Sequence, residues 1–138
     1  MIRIGTTVLT AIHAHGAATY PEECCGALLG LVTSDLRTVH AALAIDNAHA
    51  DERRRRFLVT PDEYRRVEDE AARRGFDLIG FYHSHPNHPA RPSAYDLEHA
   101  LPWHSYVIVA VDAGLAGRTT SWVLSADRTQ FEAETMTR

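Results

Sequence analysis

The chain has 138 residues, 45% apolar and 23% charged, with a formal net charge of −4 at pH 7 when histidines are neutral. That length holds one domain with a real core and no second of ordinary size, so residues 1–138 are expected to form a single domain. The acidic balance argues against a general binder of nucleic acid or of anionic membranes, since neither would be attracted over the whole surface. The start, Met1-Ile-Arg-Ile-Gly-Thr-Thr-Val, lacks the apolar stretch of a signal peptide, and no later run approaches the ~20 apolar residues of a membrane span. The only cysteines, Cys24 and Cys25, are neighbours that can neither staple distant parts of a fold nor form a second metal motif. A reducing, cytosolic location is expected.

Val8, Leu9, Ile12 and Gly16 follow helical spacing after Thr6 and Thr7, either of which can cap, and Pro21 ends the segment, which predicts a helix over 7–19. Its His13 and His15 have no ligand partner at a useful offset and read as surface or partly buried polar groups. Residues 24–32 are too apolar for a half-exposed strand and predict a buried one. After a turn at Thr33-Ser-Asp, a second strand over 37–45 makes a hairpin. Residues 46–55 are polar and irregular, with a solvated basic run at Arg53–Arg56, and a short strand is expected at Phe57-Leu-Val59. Thr60-Pro-Asp-Glu63 is the clearest helix start: a capping Thr, a proline at the first helical position and an acid at the third. Tyr64, Val67 and Ala71 form its buried stripe, Glu70 and Arg74 are spaced to pair, and Gly75 ends it. Further on, strands are expected at Ser105–Val111, Thr119–Leu124 with Trp122 as a core anchor, and Gln130–Glu134, followed by a polar tail. Asp112–Gly117 is read as a turn. One mixed layer structure is expected: a central, largely antiparallel curved sheet with helices on its faces.

Between Gly75 and Ser105 lies the stretch that carries chemistry. The apolar run Asp77-Leu-Ile-Gly-Phe-Tyr82 reads as a buried strand leading directly into His83-Ser84-His85, whose imidazoles at i and i+2 point to one side of an extended backbone. Three prolines in the next seven residues force a turn, and Ser93 opens a short helix, ending near His99, that bears Asp96. Two imidazoles and a carboxylate make a three-ligand set of the kind catalytic zinc uses, with a fourth place for water. Taken alone, Ser93-x-x-Asp96 is a capping-box pattern and the two histidines are ordinary polar residues at a strand end. Their joint occurrence favours a metal site. A water there needs a base outside the ligand set, and Glu22 and Glu23, just before the buried strand at 24–32, are both placed for it.

Pro21-Glu-Glu23-Cys-Cys25-Gly26, followed by Gly80-Phe-Tyr-His83-Ser-His85-Pro86 and Ser93-Ala-Tyr-Asp96, resembles the JAMM/MPN-type zinc metalloproteases, specifically their small prokaryotic members. The likeness in type and order of elements runs from the first helix to the Trp122 strand. It implies a deaminase-like α/β/α sandwich around a mixed, largely antiparallel sheet. It also implies a Zn2+ ion held by His83, His85 and Asp96. The family's glutamate stands two residues before a Cys-Gly pair, which selects Glu23 over Glu22 as the base, and Ser93 becomes the donor to the developing oxyanion. The implied activity is cleavage of amide or isopeptide bonds at the tail of ubiquitin-like proteins. The short chain, without insertions, points to the Gly-Gly tail of a sulfur-carrier protein, bound by addition to a sheet edge near the zinc. Two other readings are a non-catalytic scaffold of the same fold and a zinc hydrolase of small peptides or amides. His88 falls outside the ligand pattern. Ser84 faces away from the ligands and reads as packing or support. Cys25 and Gly26 read as close packing beneath the site, with a Cys25 nucleophile lacking any nearby signature. Tyr82, Trp103 and His104 stay open between cleft, core and rim.

Overall fold

The computed structural model describes residues 1–46 and 59–138. The Arg53–Arg56 run and most of the strand expected at Phe57–Val59 lie outside the described residues, and Val59 itself belongs to no regular element. In chain order the elements are β1 (Ile2–Ile4), α1 (Thr6–Thr19), β2 (Cys25–Thr33), β3 (Leu36–Ile45), α2 (Pro61–Arg73), β4 (Asp77–Pro86), α3 (Ala94–His99), β5 (Ser105–Asp112), β6 (Leu115–Leu124), β7 (Phe131–Glu134) and β8 (Met136–Thr137).

All eight strands join one sheet in the order β7-β6-β5-β4-β2-β3-β1-β8. It is mixed. β2–β3, β2–β4, β5–β6 and β6–β7 run antiparallel, while β1–β3, β1–β8 and β4–β5 run parallel. Strand alternation sends side chains to two separate cores. On one face Leu9 and Ile12 of α1 pack on Leu28, Ile79, Val107, Val109 and Val111. On the other, Val67 and Ala71 of α2 pack on Ala27, Leu29, Leu78 and Phe81. This is the expected sandwich, with β4 central.

Helix α2 follows its sequence signals closely: Thr60 Oγ1 accepts the Glu63 N–H at 3.2 Å, Arg74 pairs with Glu70 at 2.9 Å, and Gly75 leaves the helix at φ +78°. Helix α1 begins one residue earlier than expected and has Gly5 as its N-cap, with no side-chain cap from either threonine. Two short strands were invisible to pattern reading. β1 has only three residues, and the expected polar tail instead supplies β8, which pairs with β1. The segment 131–137 therefore pairs with β6 at one end of the sheet and β1 at the other, and Thr135 C=O accepts the Ile2 N–H at 2.9 Å. The sheet is curled far enough for one segment to reach both edges. The turn expected over 112–117 is tighter, since β6 resumes at Leu115 after Ala113 and Gly114.

Candidate metal centre

His83 and His85 leave the C-terminal end of β4 on the α2 side of the sheet, the face that carries Phe81. Pro86 ends the strand, and the loop 87–92 is tied to the sheet rather than free. Asn87 N–H donates to Val111 C=O at 2.8 Å, Asn87 Oδ1 accepts the Ala113 N–H at 2.9 Å, and Thr120 Oγ1 donates to Ala90 C=O at 2.6 Å. Asn87 adopts φ +57°, a left-handed conformation that asparagine tolerates better than most residues. The loop delivers Ser93 as the N-cap of α3 in a complete capping box: Ser93 Oγ accepts the Asp96 N–H at 3.0 Å and Asp96 Oδ2 accepts the Ser93 N–H at 2.8 Å. Asp96 Oδ2 is also the atom that faces the histidines, 3.3 Å from His83 Nε2 and 3.4 Å from His85 Nε2. One carboxylate oxygen thus closes the capping box and faces both imidazoles.

Glu23 arrives from a distant part of the chain. In the antiparallel β2–β4 register Cys25 lies opposite His83, and the same register carried two residues on sets Glu23 opposite His85. Its carboxylate is buried, 3% exposed, with Oε1 4.0 Å from His85 Nε2. Glu22 is exposed, so the structure separates the two candidates. His85 Nδ1–H donates to Pro89 C=O at 2.8 Å; a carbonyl only accepts, so in the neutral ring Nε2 carries the lone pair. Burial outweighs the pull of Asp96 and lowers the His83 pKa, keeping that ring neutral at neutral pH. Burial would raise the Asp96 carboxyl, but the facing His83 and the Ser93 amide outweigh it and hold the group ionised, well below the usual carboxylate range.

Two imidazole nitrogens facing a carboxylate oxygen are a donor set that suits a divalent cation. His83 Nε2 and His85 Nε2 are 3.1 Å apart, so the three donor atoms form a triangle with sides of 3.1 to 3.4 Å. Bonds of 2.0 to 2.1 Å to a tetrahedral zinc imply donor separations of about 3.3 to 3.4 Å. The residues fit the ion. A second set, Glu23 with the same two histidines, also brings its donor atoms within 4.8 Å of one another. Its 4.0 Å separation from His85 is longer than a tetrahedral edge, which puts the Glu23 carboxylate beside the triangle rather than in it.

The centre opens into a cavity of about 460 Å³ bordered by Glu23, His85, His88, Arg91 and Ser93. An apolar groove of about 630 Å³, lined by Tyr64, Phe81, Tyr95, Leu101 and Tyr106, runs between α2 and α3 to Asp96. β4 is paired with β2 as far as His83 on one side and with β5 as far as Pro86 on the other.

Of the residues left open by sequence, Tyr82 is core on the α1 face, where its hydroxyl meets His15 Nδ1 at 2.7 Å. Gly26 makes this possible, since a Cβ there would lie 2.2 Å from the Tyr82 ring. Trp103 is 51% exposed and stacks on Arg37, and His104 is buried against Tyr64 and Phe81, so neither lines the centre. Burial pushes the Cys25 thiol up to about 12, which makes it an inert packing group. Trp122 is not a core anchor: it is half-buried and packs with Ala90, Ile108 and Ala110 beneath the loop. Asn87, Thr120 and the Pro89 carbonyl, all of which shape the loop, went unread because nothing in their local sequence marks them.

The family model described as prokaryotic homologs of the JAB domain matches residues 6–125. The chain is 36% identical over 122 residues to the desampylase of Haloferax volcanii, an alignment that spans 88% of this chain and 83% of that protein. It is 33% identical over 100 residues to the tail tip assembly protein K of Escherichia phage N15, which covers 70% of this chain but only 37% of that protein. Two solution structures are similar. A Salinibacter ruber protein shares 44% identity at a TM-score of 0.78, over 100% of this chain and 91% of that one. A Desulfitobacterium hafniense protein shares 28% identity at a TM-score of 0.85, over 99% and 91%. With the family model spanning most of the domain, the chain belongs to the prokaryotic JAB-domain family and is a hydrolase of the metallopeptidase kind.

Proposed function

We propose that the chain is a zinc-dependent isopeptidase that hydrolyses an amide bond at the C-terminal Gly-Gly tail of a ubiquitin-like protein of the sulfur-carrier type. The observation that carries this reading is the buried Glu23 carboxylate standing beside three donors at zinc spacing, at the floor of an opening that Ser93 borders. The substrate class rests on the similarity to the Haloferax volcanii desampylase and on the family resemblance. With both cysteines free and buried, and no helix among the described residues long and apolar enough to cross a membrane, a cytosolic site of action is the consistent choice.

His83, His85 and Asp96 would hold the zinc. When bound, it supplies Lewis acidity, bringing the pKa of a water to roughly 7 and polarising a carbonyl. Glu23 takes the proton of the attacking water as the C–O bond forms and then gives it to the amine nitrogen, on which the C–N bond breaks, without an acyl-enzyme. Ser93 Oγ is occupied as an acceptor of the Asp96 N–H, which leaves its own O–H to donate to the carbonyl oxygen as charge builds there. The capping box orients that hydroxyl in advance. The groove between α2 and α3 offers the carrier an apolar surface beside the centre.

The test is metal analysis and mass-spectrometric cleavage of a carrier fused at its C-terminus, run for the parent, His85→Ala and Glu23→Gln. The parent should hold one zinc and cleave after the Gly-Gly; His85→Ala should lose both properties. Glu23→Gln should keep the zinc and lose roughly 10²- to 10⁴-fold in kcat. A zinc-loaded parent that leaves the fusion intact ends the reading, and a parent that takes up no zinc at neutral pH supports the scaffold instead. Iodoacetamide at pH 8 should leave parent activity unchanged, because burial keeps Cys25 protonated there.

A further inference from the structure

We propose that Ser84, between the two histidines, is a positioning residue that sets the Glu23 carboxylate against the metal centre; the inference rests on Glu23 acting as the base. The observation is a substitution in the β2–β4 ladder. Past the last strand pair, Cys25 opposite His83, Ser84 N–H still donates to Cys24 C=O at 3.2 Å. The return bond is different. In a regular antiparallel pair Cys24 N–H would donate to the Ser84 carbonyl. Here it donates to the Ser84 hydroxyl at 2.8 Å.

The hydroxyl projects from the face of β4 opposite His83 and His85, so this bond pins the backbone one residue from Glu23 on a path a main-chain ladder would not follow. Among the described residues the Ser84 hydroxyl is the acceptor that holds the Cys24 amide. The bond is also sealed. Ser84 is 0% and Cys24 3% exposed, and α1 lies over both at Gly16, where a Cβ would come within 3.5 Å of Ser84 Cβ and 3.9 Å of Cys24 Sγ. Bulk solvent does not reach the bond. The strand therefore divides its labour: two side chains offer ligands on one face, and the residue between them clamps the neighbouring strand end from the other. A lost clamp shifts the strand end that carries Glu23, while His83 stays paired between β2 and β5, His85 keeps its bond to the Pro89 carbonyl and Asp96 its capping box.

The experiment compares parent, Ser84→Ala and Ser84→Thr by zinc titration, by kcat and KM on the carrier fusion, and by amide hydrogen exchange at Cys24. Ser84→Ala should bind zinc within a few-fold of the parent, keep KM, lose roughly 10- to 100-fold in kcat, and speed exchange at Cys24 while leaving Leu28 and Leu29 protected. Ser84→Thr should restore both the protection and most of the kcat. If Ser84→Ala does not fold, Ser84→Cys preserves the shape while offering only a weak acceptor, and the same losses are expected. Parent-like kcat in Ser84→Ala or Ser84→Cys overturns the inference. So does joint loss of zinc and kcat, which would make Ser84 a support for the ligands. Fast Cys24 exchange with unchanged turnover overturns it as well. An inert zinc-loaded parent, by contrast, brings down the peptidase reading itself, and this inference with it.

Discussion

Helices α2 and α3 both begin with a hydroxyl residue followed three positions later by an acid, Thr60-Pro-Asp-Glu63 and Ser93-Ala-Tyr-Asp96. In α2 the hydroxyl caps the Glu63 N–H, and the acid turns outward to Arg66 at 2.9 Å. In α3 the acid turns back, closes the box on Ser93 N–H and puts the same oxygen in front of two imidazoles. What differs is the surroundings. The first turn of α2 meets water, whereas the loop before α3 is bonded to the ends of β5 and β6, which sets the first turn of α3 on the end of β4. Aspartate, one methylene shorter than glutamate, keeps its carboxylate close enough to the backbone to serve both partners. A capping signature thus reports where a helix starts and is silent on what its acid does next.

Exchanging the acids separates the two cases most sharply. Asp96→Asn should cost on the order of 100-fold or more in zinc affinity, above the range for groups that merely support a ligand, and abolish turnover with it; zinc retained at parental affinity would take Asp96 out of the ligand set. Ser93→Ala is next. It should keep zinc and lose roughly 10²- to 10³-fold in kcat for the missing oxyanion donor, together with about 1 kcal/mol of stability for the missing cap. A stability loss with unchanged kcat would reduce Ser93 to the role Thr60 plays. Thr60→Ala should lower the unfolding free energy by about 1 kcal/mol in a urea titration, with zinc content and kcat untouched. Glu63→Gln, which weakens only an exposed pair with Arg66, should cost about 0.2 to 0.5 kcal/mol in the same urea titration. A kcat effect from either α2 variant would show that the groove beside α2 contributes to substrate binding.

Pattern reading went furthest where chemistry is local. The α2 stripe of Val67 and Ala71, the apolar runs of β2, β4 and β5, and the spacing of His83, His85, Ser93 and Asp96 each sit within a few residues of their own signal. It failed where the signal lies elsewhere in the chain. β1 and β8 are too short for a period to show and exist because they pair with each other and with β3. Trp122 looked like an anchor on its apolar character, yet its strand register places it under the loop, beside Ala90.

The order of residues was enough to mark out a helix-and-strand sandwich and a donor set with metal spacing, because periodicity, caps and turns act over a turn or two of chain. Where those donors meet depended on the loop's bonds to β5 and β6, and which of two adjacent glutamates faces them on the β2–β4 register, which joins positions some sixty residues apart. Register is a property of two strands packed together, so no single stretch of the chain contains it.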